Sequence, residues 1–273
     1  MNGWVTAERR HFYDEHGYVV IPGMLSGPEV AEINREFMKL WLDLVREGVI
    51  VQDNRRSLES VFPRLRDYHQ TRPAIAALLL SGKMFDVAAG LLGEEALAIS
   101  TSYYFKGPGT RGLPMHQDNY SVGAAPTTTC SLWLSLSVSD EDNGGVYVVP
   151  GSHKLGLLSP EPVQESRTEY GEKLGLPEGY ELVPLRTQPG DLVAFHGNLL
   201  HGSEANLSGR TFRYANVTHF MGVSAERVAL NYNYLLDRSG ARVRRRLNAA
   251  PKLKNDTLKK DEWSGVGGNR PWR

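Results

Sequence analysis

The chain has 273 residues, of which 41% are apolar, and its 31 basic side chains balance its 31 acidic ones. This length accommodates one large or two small domains, and we expect a single domain over residues 1–273. No run of about 18 apolar residues is present, which excludes a membrane protein. The N-terminus lacks the basic-then-apolar order of a signal peptide. Cys130 is the only cysteine, which excludes internal disulfides and multi-cysteine metal sites and favours a cytoplasmic location.

Residues 1–97 are predicted to form a mainly helical support. Ser26 followed by Glu29 is a helix-start pattern, and apolar residues follow it at helical spacing. The arginine-rich stretch 52–72 predicts a long loop of the kind that often acts as a lid. Helices are predicted at 7–16, from Ser26 to about Arg46, at 73–80 and at 83–92, with a strand at 17–23.

Between residues 98 and 222 the chain changes to short β-type runs separated by Gly, Pro, Asn and Asp. Many short strands with this punctuation predict an all-β sandwich or barrel. Because the helices are confined to the N-terminal side, we predict a mainly β fold with flanking helices. It would be a double-stranded β-helix, or cupin-like jelly roll, with a helical N-terminal buttress. The predicted strands are 98–106, 127–138, 145–149, 181–184, 191–196, 202–205 and 212–218.

The remaining residues, 223–273, are predicted to be a basic C-terminal extension. Residues 238–273 hold 11 basic and 3 acidic side chains, a net charge of +8, against a net charge of −8 on the rest of the chain. Such a charge suits nucleic acid or anionic surfaces. No aromatic interleaving or nucleic-acid motif accompanies it, so we do not expect nucleic-acid binding. We expect a solvated or self-associating segment, which leaves a homo-oligomer open.

The stretch from Met115 to Asn119 carries the most specific chemistry. In an extended segment, side chains two apart share a face, so His116 and Asp118 would point the same way and Gln117 the opposite way. A histidine and a carboxylate side by side supply two of the three ligands of a 2-His-1-carboxylate site for non-haem Fe(II). A second histidine from a distant strand would complete that site.

Four histidines compete for the third ligand position: His153, His196, His201 and His219. His153 lies in a turn after a strand and is expected to cap that turn. We favour His201, which opens a predicted strand, because the small pair Gly202-Ser203 leaves room for a bound co-substrate. His196 follows the bulky Phe195 at the end of an apolar strand and remains the alternative.

Further motifs accompany these histidines along the chain. They are Gly17–Gly23, Lys106–Gly109 ahead of His116–Asp118, Trp133–Leu136, Asp142–His153, Pro189–His196, and His201–Ser203 with Asn206 and Ser208. In this order, over about residues 10–220, the sequence resembles the phytanoyl-CoA dioxygenase family. This family is a branch of the Fe(II)/2-oxoglutarate-dependent oxygenases that also contains ectoine hydroxylases.

The resemblance implies that His116, Asp118 and His201 bind Fe(II), with 2-oxoglutarate as co-substrate and O₂ as oxidant. It also implies an arginine, after the distal histidine, that binds the far carboxylate of 2-oxoglutarate. Arg210 and Arg213 compete for this role. Arg213 is preferred because it lies on a predicted strand, where a guanidinium can hold a carboxylate in a fixed fork. Other family-like positions around the co-substrate, each of which also fits plain packing, are Gln117, Trp133, Ser203 and Ser102.

The implied reaction is hydroxylation of an unactivated C–H bond of a small-molecule substrate, with release of succinate and CO₂. The same chemistry can desaturate, epoxidise or cyclise, and the sequence does not separate these outcomes. Asp118 argues against halogenation, because related halogenases replace this carboxylate by a small residue.

The substrate has to be inferred from residues expected near the pocket. The arginines among them favour a small polar, anionic or zwitterionic metabolite, although a solvated basic loop explains them equally well. The candidates are Arg55, Arg56, Arg64, Arg66, Tyr103, Tyr104, Asn119 and Tyr120.

Two other classes of protein compete with the oxygenase. A non-catalytic jelly-roll binding protein is disfavoured, because packing alone does not require His116, Asp118, His201 and Arg213 together. A nucleic-acid demethylase that uses the basic extension predicts salt-sensitive binding to DNA or RNA.

Overall fold

The computed structural model describes residues 3–55, 57–162 and 172–248. Its α-helices are α1 (Ala7–His16), α2 (Gly27–Arg46), α3 (Ser57–Val61), α4 (Pro73–Leu79), α5 (Gly82–Leu92) and α6 (Asp118–Val122). Short 3-10 helices lie at Tyr68–Gln70, Ser152–Leu155 and Leu230–Tyr232. The strands are β1 (Tyr18–Ile21), β2 (Leu65–Arg66), β3 (Ala96–Lys106), β4 (Leu113–His116), β5 (Thr129–Ser135), β6 (Val146–Val148), β7 (Glu161–Pro162), β8 (Glu172–Lys173), β9 (Val183–Pro184), β10 (Leu192–His196), β11 (His201–Ser203), β12 (Arg213–Gly222), β13 (Arg227–Val228), β14 (Leu235–Leu236), β15 (Arg242–Val243) and β16 (Arg246–Leu247).

Two antiparallel sheets build the predicted jelly roll. The larger has the order β1-β10-β5-β12-β3-β14-β15, with β2 paired to β3, and the smaller has the order β4-β11-β6-β9. Side chains from both sheets meet in one buried cluster, in which Val146 and Val148 of the smaller sheet pack with Trp133, Val193 and Val217 of the larger. The mainly β class with flanking helices is therefore confirmed.

The N-terminal helices cover the outer face of the larger sheet. Phe37 of α2 stacks on Tyr103 of β3, with ring centroids 4.1 Å apart, and Phe85 of α5 meets Phe220 of β12 edge to face. At the start of α2, the Ser26 backbone donates to the Glu29 carboxylate and the Ser26 hydroxyl accepts from the Glu29 backbone, as the sequence pattern predicts. The helical buttress thus leaves the inner face of the sheet to line a cavity.

Local differences from the predicted elements occur on both sides of the barrel. Helix α6 was not predicted, because its polar sequence carries no helical periodicity. Strand β3 begins two residues earlier than expected, and β12 extends beyond the predicted end to Gly222. The predicted C-terminal extension contributes β14 and β15 to the edge of the larger sheet, while residues 249–273 lie outside the described part of the chain.

No single helix in the described ranges is long and apolar enough to cross a membrane. Helices α4 and α5 reach the required length and apolar composition only together, and they are bent by 46° at their junction.

Candidate metal and co-substrate site

His116 and His201 are brought together by the pairing of β4 with β11. His116 ends β4, His201 begins β11, and the two residues are direct partners in the register. Gln117 keeps an extended backbone (φ −122°, ψ 126°), and the chain then turns into α6 at Asp118. Asp118 therefore faces the same side as His116, as an extended tripeptide predicts. Ligand atoms of the three side chains all lie within 4.8 Å of one another.

The hydrogen bonds of the two imidazole rings prepare both for a metal. Nδ1 of His116 lies 2.9 Å from the Pro114 carbonyl, and Nδ1 of His201 lies 3.0 Å from the Leu199 carbonyl. A carbonyl only accepts, so each Nδ1 carries the proton and each Nε2 offers a lone pair. These Nε2 atoms lie 3.5 Å and 3.6 Å from the two carboxylate oxygens of Asp118. The donor set and its tautomers fit a 2-His-1-carboxylate metal site.

Burial and charge favour the ligand forms of these groups. Burial lowers the pKa of His201 to about 4, so its ring is neutral near pH 7. Burial alone would raise the pKa of Asp118, but the neighbouring His201, His219 and His116 hold it well below its usual range. The carboxylate is therefore ionised and able to coordinate a cation.

Of the other histidine candidates, His219 lines the cavity, whereas His196 and His153 lie outside it. His196 accepts from the Asn198 backbone at 3.1 Å and packs against the rings of Tyr13 and His153. His153 bonds the Asp14 carbonyl at 3.1 Å, and no side chain caps its turn, so the predicted cap is wrong.

Gly202 after His201 has a packing role besides the predicted one. An added Cβ at Gly202 would lie 2.3 Å from Tyr147 Oη and 2.7 Å from the Leu113 carbonyl, so the close approach of these protein atoms requires glycine. Gly202 and Ser203 both line the cavity, and the predicted room for a co-substrate stays a prediction.

A cationic end of the cavity lies beside this group. Arg213 is 3% exposed, donates to the Gly144 carbonyl at 3.1 Å and lies 5.6 Å from the Trp133 ring centroid. Its direct cross-strand partner Lys106 donates to Ser203 Oγ at 2.8 Å. Arg210, by contrast, is exposed. The structure thus places Arg213 in the cavity, together with Trp133, Ser203 and Ser102 as predicted.

Gln117 has a structural role besides the predicted co-substrate contact. Its amide nitrogen donates to the carbonyls of Gly156 and Asn198, both at 2.7 Å, and its oxygen accepts from the Leu158 backbone at 2.8 Å. Both amide hydrogens are committed to backbone, while the residue also lines the cavity, and its contact with a co-substrate stays a prediction. Gln117 holds neighbouring loops against the metal-ligand segment.

Only some of the predicted substrate residues line the cavity. Arg64, Arg66, Tyr104 and Tyr120 line the cavity. Tyr103, Asn119 and Arg55 do not line it, and the predictions for these three residues are corrected. Tyr103 points to the opposite face of β3, where its hydroxyl donates to Asn34. The Asn119 amide bonds the Ala124 backbone within its own turn, and the side chain of Arg55 is 93% exposed. Arg56 lies outside the described residues.

Sequence reasoning missed several residues that line the same cavity. Lys106 appeared in the sequence analysis only as part of a motif. Its side chain lies on the same side of β3 as Ser102 and Tyr104, and a lysine in this alternating position of a buried strand signals a polar cavity. Arg111 and Glu59, which form an ion pair at 3.2 Å, carry no local sequence signal. His219 was considered only as a metal ligand.

The cavity is about 360 Å³ in volume, enough for 2-oxoglutarate and a small molecule, and its lining carries a positive charge excess. Five cationic side chains face two acidic ones, so anionic ligands are favoured. The cations are Arg64, Arg66, Lys106, Arg111 and Arg213, and the acids are Glu59 and Asp118.

A jelly roll that brings two histidines and a carboxylate together beside a buried arginine has the architecture of a non-haem Fe(II)/2-oxoglutarate-dependent dioxygenase. Sequence comparison agrees. The sequence model of the family described as Phytanoyl-CoA dioxygenase (PhyH) matches residues 13–215, and the chain belongs to this family.

Curated relatives and a solved structure are similar over most of the chain. Phytanoyl-CoA dioxygenase 1 of Oryza sativa subsp. japonica is 26% identical over 240 residues, 76% of this chain and 85% of the relative. The ectoine dioxygenase of Sphingopyxis alaskensis is 27% identical over 225 residues, 75% of this chain and 72% of the relative. The crystal structure of EctD from S. alaskensis with bound Fe has a TM-score of 0.66 at 24% identity, covering 91% of this chain and 90% of that one. At this identity the structural similarity shows the fold.

Proposed function

We propose that the protein uses Fe(II), 2-oxoglutarate and O₂ to hydroxylate an unactivated C–H bond of a small, polar or anionic metabolite, releasing succinate and CO₂. The observation that carries the proposal is the group formed by His116, Asp118 and His201, whose ligand atoms lie within 4.8 Å of one another, with both Nε2 atoms 3.5–3.6 Å from the carboxylate oxygens. When bound, the metal and 2-oxoglutarate supply an oxidant strong enough to remove a hydrogen atom from carbon. The chain's own residues bind, orient and exclude water.

Arg213 and Lys106 are suited to hold the far carboxylate of 2-oxoglutarate. Both are nearly fully buried, and they sit side by side on β12 and β3 at one end of the cavity. The guanidinium offers a planar fork and the ammonium a point charge. Trp133 packs beside Arg213, and Phe195 stacks on the ring of His201 at 4.8 Å, so apolar rings limit water near the metal ligands.

The substrate class follows from the rest of the lining. The names of the relatives point to different substrates, so the substrate class is inferred from the residues that line the cavity. Arg66 lies on β2 and Arg64 precedes that strand by one residue, so the two side chains point to the same side of the chain. Arg66 pairs with Ser102 of β3 in the register. Together with Arg111 the two arginines line this wall with guanidinium groups, although Arg66 also pairs with Asp67 at 3.0 Å and Arg111 with Glu59 at 3.2 Å. These groups support a carboxylate, phosphate or phosphonate group on the substrate.

The decisive experiment measures Fe(II)-dependent conversion of 2-oxoglutarate to succinate by the purified protein, alone and with a panel of small anionic metabolites. Wild type is expected to form succinate, and its true substrate to stimulate the rate. His116→Ala is expected to be inactive, while His196→Ala, which removes a histidine outside the site, keeps activity. A wild-type protein that binds neither Fe(II) nor 2-oxoglutarate would be a non-catalytic binding protein. A cytoplasmic location and a homo-oligomer stay predictions.

A further inference from the structure

A hydrogen-bonded chain runs from the candidate metal ligand Asp118 into the larger sheet. Ser131 Oγ donates to Asp118 Oδ2 at 2.6 Å, and the same hydroxyl lies 2.7 Å from Nδ1 of His219. Ser131 and His219 are direct partners in the pairing of β5 with β12, and Ser131 is completely buried. The larger sheet therefore contacts one oxygen of the Asp118 carboxylate directly. Asp118 itself begins the short helix α6, so this contact comes from a different element of the fold.

The direction of each bond follows from counting hydrogens. A metal-binding carboxylate is ionised and only accepts, so the single hydroxyl hydrogen of Ser131 goes to Asp118. The contact between Ser131 and His219 then needs its hydrogen from the histidine. His219 consequently carries a proton on Nδ1, and a neutral ring has its lone pair on Nε2.

The position of His219 separates it from the three ligand residues. Its Nδ1 is 3.7 Å from Asp118 Oδ2, and the ring forms part of the cavity lining. Nε2 of His219 has no hydrogen-bond partner among the residues that the structure describes. One side of the ring is thus bonded towards Asp118, and the other side is open to the cavity.

We propose that His219 is a positioning residue that acts through Ser131 to hold the Asp118 carboxylate in its metal-binding orientation. The proposal rests on the proposed metal site and adds a function for two residues outside the ligand set. Groups that bond metal-ligating side chains contribute about 10- to 100-fold to metal affinity, because a ligand that can rotate must be ordered when the ion binds.

Side-chain substitutions can separate the two nitrogens of His219. Asparagine places an amide near the position of Nδ1, so His219→Asn retains a donor for Ser131. Glutamine places its amide near Nε2, and leucine has no donor at all. His219→Gln and His219→Leu are therefore expected to lower Fe(II) affinity by about 10- to 100-fold, with His219→Asn close to wild type. Ser131→Ala removes only a hydroxyl group and is expected to lower Fe(II) affinity as much as His219→Leu does. The double variant is expected to lower the affinity little further, because both substitutions break the same chain of hydrogen bonds.

The measurement is anaerobic titration with Fe(II), with the visible spectrum of the Co(II)-substituted protein as a readout of ligand geometry and thermal unfolding of the metal-free protein as a control for folding. His69 supplies a control variant, because its Nδ1 also lies beside a hydroxyl, 2.9 Å from Thr101 Oγ1, on a side chain that is 0% exposed against 16% for His219. His69→Leu is expected to lower stability without changing Fe(II) affinity or the Co(II) spectrum.

The outcomes are distinct. Equal Fe(II) affinity in wild type, His219→Leu and Ser131→Ala overturns the positioning role and leaves the metal site intact. Equal losses in His219→Asn and His219→Leu also overturn it, because the Nδ1 donor would then be irrelevant. If wild type itself does not bind Fe(II), the proposed function fails instead.

Discussion

His116 and His201 face each other across the β4–β11 pair, with ring centroids 4.3 Å apart, although 84 residues separate them in the sequence. Strand pairing therefore brings the two candidate histidine ligands together. Because both Nδ1 atoms bond backbone carbonyls, the rings are held in one tautomer by the strands themselves.

Removing either histidine is expected to abolish useful metal binding. His116→Ala and His201→Ala should each weaken Fe(II) binding by more than about 100-fold, since even residues that only support ligands contribute 10- to 100-fold. Anaerobic Fe(II) titration measures this effect. His153→Ala is the control and should bind Fe(II) like wild type; comparable affinity in all three variants would contradict the assignment.

Arg213 is expected to determine the affinity for 2-oxoglutarate. Truncating one partner of a buried charge pair costs about 2–5 kcal/mol, so Arg213→Ala should weaken co-substrate binding by about 30-fold or more. The affinity of Arg213→Lys for 2-oxoglutarate should lie between those of wild type and Arg213→Ala, because lysine keeps the positive charge and lacks the planar fork of the guanidinium. Calorimetric titration compares these variants with Arg210→Ala, which alters an exposed arginine and should match wild type. A larger effect at Arg210 would reverse the assignment.

Arg64 and Arg66 are expected to affect the substrate and to spare the co-substrate. Alanine at either position should raise the KM for an anionic substrate by about 10-fold, since a lost charged hydrogen bond is worth about 1.5–3 kcal/mol. The KM for the co-substrate should not change. Steady-state succinate assays give both constants, with Arg55→Ala as the exposed-arginine control. An unchanged substrate KM would exclude this wall from substrate binding.

Neighbouring tyrosines on β3 should respond oppositely to the same substitution. Tyr103→Phe removes the hydrogen bond to Asn34 at 2.8 Å and should lower stability by about 1 kcal/mol, with unchanged kinetics. Tyr104→Phe removes a hydroxyl 3.4 Å from Arg64 in the cavity lining and should change substrate KM with little effect on stability. Thermal unfolding and steady-state kinetics distinguish them, and the reverse pattern would place the cavity on the other face of β3.

Glu29 should make stability pH-dependent in acid. Its hydrogen bonds with Lys83 and Ser26 hold its pKa at about 2, below the usual 4.5. A carboxyl with a lower pKa in the folded protein contributes stability above its unfolded pKa and loses it as pH falls through the folded value. Glu29→Gln should therefore destabilise the protein near neutral pH, and the difference from wild type should shrink as pH falls below about 4. Denaturant unfolding over this range tests the trend; a constant difference would assign the effect to packing.

Local patterns were sufficient to predict the main elements and to place two of the candidate ligands on one side of the chain. Ser26 and Glu29 define the start of α2 by chemistry confined to one turn, and alternating side chains put His116 and Asp118 on one side. Both features depend on residues close in sequence. The third ligand followed from a family resemblance, and the structure shows that Gly202 after it serves close backbone packing.

Long-range placement was not predictable in the same way. Nearly every residue of β3 is buried, so its sequence does not reveal that Tyr104 faces the cavity and Tyr103 the helices. The polar side chain of Gln117 bonds the carbonyls of Gly156 and Asn198, which only the folded chain brings near it. Ser131 and His219 are 88 residues apart, and their contact depends on the register of β5 with β12.

The two ends of the cavity are built from different kinds of scaffold. Arg213 and Lys106 extend from long central strands, whereas Arg64 and Arg66 belong to a short segment that joins β3 through the pairs Leu65 with Tyr103 and Arg66 with Ser102. That segment contains none of the three candidate ligand residues and neither Arg213 nor Lys106. Descendants of this chain could therefore acquire new substrates by altering one surface segment while inheriting their oxidative chemistry unchanged.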